Sequence, residues 1–455
     1  MRNPDSRWNN FLSITIFLLV FLGTWSVVTL YQTQGFTSLY FLCFTCGIGA
    51  VVLAIIRFLC GFKTKKVAAA TLINLFFVEC LFQVIGWLNL FPAGIDIAVF
   101  SVPYGRVIKN AEGPKNSDIM NRYGWHYPNS ELKTDSRKIA LIGDSFIEGL
   151  QIKAKYNVGE LLENTLNSQG HKELYQVYSF GIGGSGPAQY YELLKHSVKY
   201  YNVKEAYIFI FLGNDLQNMA MMRPNGNIED PKLRIQYIMG SDNKISLHPD
   251  SKKAVAAFNT HIDDNRKSMF INFPATVTSY LMTPAILRLI LSKLVNKKDI
   301  EVPLETSRSP IINDMIAFGL SPFNYRPSND PEVAKATVLA KEVLTMCKKF
   351  SDSNNVVLRF VTIPWFCGDF YNQGDTNTWS TTFDGIDLLQ FEKHLVDWAK
   401  EEGVSLLPIG AFLKSKGLTV SEIKALYFAS GKGHWTEKGH RFYAEAIYEN
   451  IYKQP

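Results

Sequence analysis

Six cysteines in 455 residues are too few and too scattered for a scaffold stapled by disulfides. Cys43 and Cys46 form a CxxC, but no second ligand pair follows at zinc spacing, so no metal site is expected there. Cys43, Cys46, Cys60 and Cys80 lie in very apolar stretches, and only Cys347 and Cys367 fall in the polar part of the chain. Those two either pair in an oxidising compartment or stay separate as buried thiols. A long basic tract is also missing: 47 Lys and Arg stand against 41 Asp and Glu, dispersed, for a formal net charge of +6. That balance gives no footprint for nucleic acid. Internal repeats and low-complexity tracts are absent.

Charge is scarcest in residues 1–90. Phe11 to Tyr31 carries none, and its length of about 20 residues matches a ~30 Å hydrocarbon core. Ser38 to Cys60 is a second such run with Arg57 near its end, and Val67 to Leu90 a third, interrupted by Asn74 and Glu79. A cleaved signal peptide fits poorly, because the first run is too long and two more follow. Arg2 and Arg7 precede the first run, and Arg57, Lys63, Lys65 and Lys66 bracket the link between the second and third, whereas Gln32 to Thr37 is uncharged. The positive-inside rule then places the N-terminus in the cytoplasm and everything after Leu90 outside. The expectation is a multi-pass plasma (inner) membrane protein with its catalytic domain extracytoplasmic. Glu79, in the third run, either contacts a partner protein or a lipid-borne substrate, or fixes the helix bundle by a hydrogen bond.

The division expected is a membrane anchor over 1–90, a linker over 91–137 that packs onto the soluble domain, and a catalytic domain over 138–455. From Lys138 on, short apolar runs alternate with amphipathic stretches. Strands are expected at Lys138 to Ile142, Leu174 to Phe180, Glu205 to Leu212, Val356 to Ile363 and Val404 to Pro408. Helices are expected at Val158 to Gln169, Pro187 to Tyr201, Val333 to Phe350, Ile386 to Glu402 and Thr436 to Tyr452. Strands separated by helices of this length predict an α/β fold, a doubly wound parallel sheet of five strands. Its site should lie beyond the strands' C-terminal ends. The alternation stops at about 219–331, an insertion too long for a plain loop. Within it Thr283 and Pro284 start a helix, and Ala285 to Val295 is either an interfacial membrane helix or a lid.

Four blocks sit where such a sheet would put chemistry. Ser145 lies in IGDSFIEG after the first strand, FGIGGSG (Phe180 to Gly186) ends the second, and GNDLQN (Gly213 to Asn218) ends the third. GKGHWTEKGH (Gly431 to His440) precedes the last helix. A serine hydroxyl is a weak nucleophile near neutral pH and needs a base beside it, which His434 can supply. His440 falls inside the helix and reads as structural.

In this order the blocks resemble the SGNH/GDSL hydrolase superfamily, from about Ile119 to the end of the chain. The branch related to bacterial alginate O-acetyltransferase proteins is the most similar, on Asn121 to Gly124, Gly143 to Gly149, the GND at Gly213, and the HW and GH of the last block. The resemblance implies Ser145 as nucleophile and His434 as general base. It also implies an oxyanion hole from the amides of Ser145 and Gly184 with the side chain of Asn214. One departure stands out: the family usually carries an Asp two or three residues before the His, where this chain has Lys432 and Gly431. Asp369, Asp384 and Asp387 are the candidates by location for the acid that orients His434, and a Ser-His dyad is the alternative. No cofactor is expected. The function implied is a membrane-anchored serine esterase or deacylase acting on acylated envelope glycans or lipids. The alternatives are an O-acyltransferase for an envelope polysaccharide, working with a multispan membrane partner, and a non-catalytic binding protein on the same fold.

Overall fold

Residues 136–143 (SRKIALIG) alternate between two apolar environments. Ile139 and Leu141 point into one buried cluster, Ala140 and Ile142 into another. A strand buried on both faces belongs at the centre of a sheet covered by helices on each side. The computed structural model of the chain has this arrangement. It describes residues 103–128 (less 104 and 111), 135–169, 173–220, 234–264 (less 241–243), 322–365 (less 327), 382–383, 386–387, 389–428 and 433–453, with Glu79, Asp96, Ala98 and Val99.

The chain divides into two compact units, residues 1–99 with 273–298 and residues 100–272 with 299–455. In the first, the described residues are Glu79, buried in a helix, Asp96, and the short strand Ala98–Val99. The three apolar runs and the Thr283 helix otherwise lie outside the described residues. Among the described residues no helix is long and apolar enough to cross a membrane.

The second unit opens with an antiparallel hairpin, β1 (Arg106–Lys109) and β2 (Asn116–Ile119). Five parallel strands follow: β3 (Ser136–Gly143), β4 (Leu174–Gly181), β5 (Glu205–Phe211), β6 (Val357–Ile363) and β7 (Ser405–Leu407). Their order in the sheet is β7-β6-β5-β3-β4. Strand order therefore reverses between β3 and β5, whose pairing includes Ile142 opposite Ile208. At such a reversal the two following loops diverge and leave a crevice.

Helices follow the strands as the alternation predicts. Between β3 and β4 come a single turn, α1 (Ser145–Glu148), and α2 (Val158–Ser168); α3 (Pro187–Tyr201) links β4 to β5. After β5 come α4 (Asp215–Met219), α5 (Lys252–Asp264) and α6 (Pro331–Ser353). The rest are α7 (Gln390–Glu402), α8 (Ile409–Ser415), α9 (Val420–Lys424) and α10 (Glu437–Ile447). Ala206, Ile208 and Ile210 of β5 meet α3, α6 and α7 on one face; Tyr207, Phe209 and Phe211 meet α2, α8 and α10 on the other. Each of the fully buried Ile and Phe side chains contributes roughly 1.5–3 kcal/mol.

Two boundaries differ from expectation by four residues or more. The helix expected from Ile386 starts at Gln390, because Ile386–Asp387 pairs antiparallel with Thr382–Phe383. The last α-helix ends at Ile447 and continues as a wider turn, Tyr448–Tyr452. Within the insertion, Tyr237–Met239 pairs with Ile245–Leu247, and α5 is tied to α3 by Asp263, which accepts the Tyr200 hydroxyl at 2.9 Å.

Candidate active site

Ser145 stands at the first position of α1, directly beyond the C-terminal end of β3. Asp144 caps the turn, its carboxylate accepting the Phe146 amide at 3.0 Å. The cap fixes where the serine leaves the strand, and the first amides of a helical turn have no partner inside it. The Ser145 hydroxyl lies 2.8 Å from Nε2 of His434. The His434 ring packs against Phe146 at a centroid distance of 4.9 Å, which sets its plane.

His434 is carried by a loop bound to the end of α9. The Phe428 amide donates to the His434 carbonyl at 2.8 Å, and the Gly433 amide to the Phe428 carbonyl at 3.0 Å. His440, six residues on, is fully buried. Its Nδ1 accepts the Val158 amide at 3.2 Å, which requires the neutral ring, and burial pushes its pKa down to about 3. It holds α10 to α2.

The acid behind His434 is Glu112. One carboxylate oxygen lies 2.6 Å from His434 Nδ1, and the other accepts the His434 backbone amide. Burial works against its charge, but the hydrogen bond and positive potential of His434 outweigh it, so the carboxyl titrates below its ordinary value. This corrects the search among Asp369, Asp384 and Asp387. The first and second lie outside the described residues, and Asp387 lies in the two-residue strand beside Thr382–Phe383. Lys432 and Gly431, where the family's Asp would stand, leave the position empty of acid. Gly433 makes space for the substitute: a Cβ there would sit 1.7 Å from a Glu112 oxygen.

Glu112 arrives on the tip of the β1–β2 hairpin, 322 residues before its partner. The hairpin is stitched to the loop after α1. Asn116 donates to the carbonyls of Leu150 and Ile152 at 2.8 and 2.6 Å, and Asp118 accepts the Ala154 amide at 2.6 Å. His126 Nε2 lies 3.4 Å from the same Asp118 carboxylate. The Asn-x-x-Gly block acts as a folded turn, with Asn121 accepting the amides of Tyr123 and Trp125 at 2.9 and 3.1 Å and Gly124 at φ 77°. Sequence reasoning had no signal for Glu112 beyond its place in a short Glu-Gly-Pro turn.

Gly184 and Asn214 follow β4 and β5 on the two sides of β3. Gly184 has φ 74°, a conformation glycine adopts without strain, and a Cβ there would meet nothing within 4 Å. Its amide donates to none of the described residues. The side-chain oxygen of Asn214 is buried without a hydrogen-bond partner among the described residues. Asn214 is the N-cap residue of α4, but its side chain makes no capping hydrogen bond to that helix. Asn324 braces the loop by accepting the Gln217 amide at 2.6 Å and donating to the Gly213 carbonyl.

Two buried carboxylates lie beneath these loops. Burial pushes Asp144 up to about 6. Burial, and then the charge of Asp144, push Asp215 well above the ordinary range; Asp215 accepts the Phe211 amide at 2.9 Å and the Tyr190 hydroxyl at 3.1 Å. Cys347 is a free, buried thiol on α6, and Cys367 lies outside the described residues. Among the described residues no group of three or more His, Cys, Asp or Glu side chains is placed to hold a metal ion.

No protein-family model matches the chain, and no curated protein matches it. Several solved structures are similar. One, assigned to the G-D-S-L lipolytic family and from Desulfitobacterium hafniense, is 13% identical, covers 69% of this chain and 99% of its own, and has a TM-score of 0.31. TesA is 10% identical over 69% of this chain and 96% of its own, with a TM-score of 0.32. The acetyl xylan esterase AlAXEase is 10% identical over 69% and 99%, with a TM-score of 0.33.

Proposed function

We propose that the chain is a serine ester hydrolase of the SGNH type. The observation that carries the reading is the unbroken line from the Ser145 hydroxyl to His434 Nε2 at 2.8 Å, and from His434 Nδ1 to Glu112 at 2.6 Å. In the acylation step Ser145 Oγ attacks the ester carbonyl while its proton passes to His434. The tetrahedral intermediate collapses, the carbon–oxygen bond to the alcohol breaks, and His434 returns the proton to the leaving oxygen. Water, deprotonated by the same imidazole, then releases the acid and frees the serine. Glu112 holds the ring in the tautomer that leaves Nε2 free to accept, and stabilises the imidazolium as it forms. The Gly184 amide, the Ser145 amide and the Asn214 side chain are the proposed donors to the oxyanion. The substrate proposed is an acylated glycan or lipid of the cell envelope, reached from a membrane anchor in residues 1–90.

Transfer to a sugar hydroxyl instead of water uses the same residues and is the second reading, in the branch that the Asn121 to Gly124 and His434 to His440 blocks resemble. The non-catalytic alternative rested on a missing acid, and the carboxylate of Glu112 at Nδ1 takes away that motive.

The test is covalent. A fluorophosphonate should label folded protein at Ser145 between about pH 6 and 9, and Ser145→Ala should abolish it. His434→Ala should slow turnover of an activated short-chain ester by at least roughly a thousand-fold. Folded protein that does not label at Ser145 across that range is not a serine hydrolase. Supplying a glycan acceptor separates the two reactions: an acylated glycan as product, in place of free acid, establishes transfer.

A further inference from the structure

The Gly183-Gly184 pair places two consecutive glycines in the site, and an acidic and a basic side chain hold it from opposite ends. Residues Ile182 to Ser185 form a reverse turn closed by the Ser185 amide donating to the Ile182 carbonyl at 3.1 Å. With φ 74° at its third residue, Gly184, this is a type II turn. A type I turn has the same ends but the opposite orientation of the central peptide, so its Gly184 N–H would point the other way. Two consecutive glycines offer little steric preference between the two.

Contacts at each end of that peptide fix the choice. The Gly183 amide donates to Glu148 Oε2 at 3.0 Å. Glu148 is buried and lies three residues after the nucleophile on α1, so its contact joins the serine turn to the Gly184 turn. On the other side, Arg234 Nη2 donates to the Gly184 carbonyl at 2.5 Å. Arg234 belongs to the insertion, outside the alternating strands and helices. The Ser185 carbonyl, next along the chain, accepts Asn218 Nδ2 at 3.2 Å.

We propose that Glu148 and Arg234 are positioning residues that lock the Gly183–Gly184 peptide with its N–H toward the Ser145 site. The proposal rests on the reading of Ser145 as nucleophile and Gly184 as oxyanion donor. Without the clamp the turn divides between two orientations, and the rate of chemistry falls by the fraction that is competent. Binding of the ground-state ester is unaffected by that division, because the oxyanion forms only as the carbonyl is attacked.

The experiment measures kcat and KM for p-nitrophenyl acetate, with the rate of fluorophosphonate labelling, on the full chain. Arg234→Ala is expected to lower kcat and the labelling rate together by about tenfold, with KM changed less than about twofold, and Arg234→Lys to recover part of the loss. Glu148→Leu should lower kcat by about ten- to a hundred-fold, while Glu148→Gln, which keeps an acceptor for the Gly183 amide, should stay within about threefold of wild type. Gly184→Ala, which disfavours the positive φ, should lose as much alone as combined with Arg234→Ala, because both act on one turn. An active wild type in which Arg234→Ala raises KM at constant kcat, adds its loss fully to that of Gly184→Ala, or changes nothing overturns the clamp. Glu148→Gln as damaging as Glu148→Leu overturns the part given to Glu148. A folded wild type that neither turns over the ester nor labels fails at the serine-hydrolase reading itself, and the clamp falls with it.

Discussion

A carboxylate two or three residues before a catalytic histidine is held there by the loop itself, whereas Glu112 is held by a separate hairpin. The exchange leaves the chemistry at Nδ1 the same, since a 2.6 Å contact to a charged oxygen selects the tautomer in either case. Glu112→Gln should therefore lower kcat on an activated ester by about a thousand- to ten-thousand-fold, because the amide can present a donor to Nδ1 and favour the wrong tautomer. Steady-state kinetics of the purified variant, with far-ultraviolet circular dichroism as the folding control, decide it; a loss under about threefold would take Glu112 out of the mechanism. His440 carries a different prediction. Its folded pKa is depressed to about 3, so its contribution to stability is complete above the unfolded value of 6.5 and is lost as pH falls, the unfolded chain taking up the proton first. His440→Gln keeps an acceptor for the Val158 amide and removes the titration. Urea midpoints between about pH 4 and 7 should fall less steeply on acidification in the variant than in wild type. Equal slopes would mean that His440 is already charged in the native state.

At the scale of elements, the site is a set of turns fixed by side chains from distant segments. Asn324 is the plainest case, since it takes both a donor and an acceptor of the loop that carries Asn214. Asn324→Ala strands the Gln217 amide and the Gly213 carbonyl in a buried place and should destabilise the fold by roughly 2–4 kcal/mol, with kcat reduced through the displaced Asn214. Chemical unfolding and kinetics on the same preparation test both halves, and a stability within about 0.5 kcal/mol of wild type would contradict the brace. The strands and helices themselves were legible from their apolar runs, because β3 to β6 are long, and parallel strands covered on both faces need nearly every residue apolar. The helix expected from Ile386 was placed early because its first residues bend into a two-residue bridge with Thr382–Phe383, a contact invisible to periodicity.

Over the whole molecule, the proposed membrane anchor makes a directional prediction from charge alone. A reporter that works only outside the membrane should be active when fused after Leu90 and silent when fused between Arg57 and Val67. The reverse pattern would place the serine site on the cytoplasmic side and remove envelope glycans from the list of substrates. Within the second unit, the reversal of strand order between β3 and β5 collects Ser145, Gly184 and Asn214 from three successive strand ends. The hairpin and the α10 loop close the same edge with Glu112 and His434.

By itself, the sequence determined the parallel α/β sheet, since hydrophobic period and helix spacing are local properties that survive without knowledge of partners. It also marked Ser145, Gly184, Asn214 and His434, in blocks that follow a strand or precede a helix and whose order resembles the SGNH/GDSL superfamily. Tertiary structure alone decided the acid. A charge interaction reads distance in space, and the segment from Glu112 to His434 returns to its starting point only after five strands have been laid in order. Nothing in the neighbours of Glu112 encodes that return; it is set by Asn116 and Asp118 gripping the loop after α1 and by a glycine at 433 that leaves space for a carboxylate.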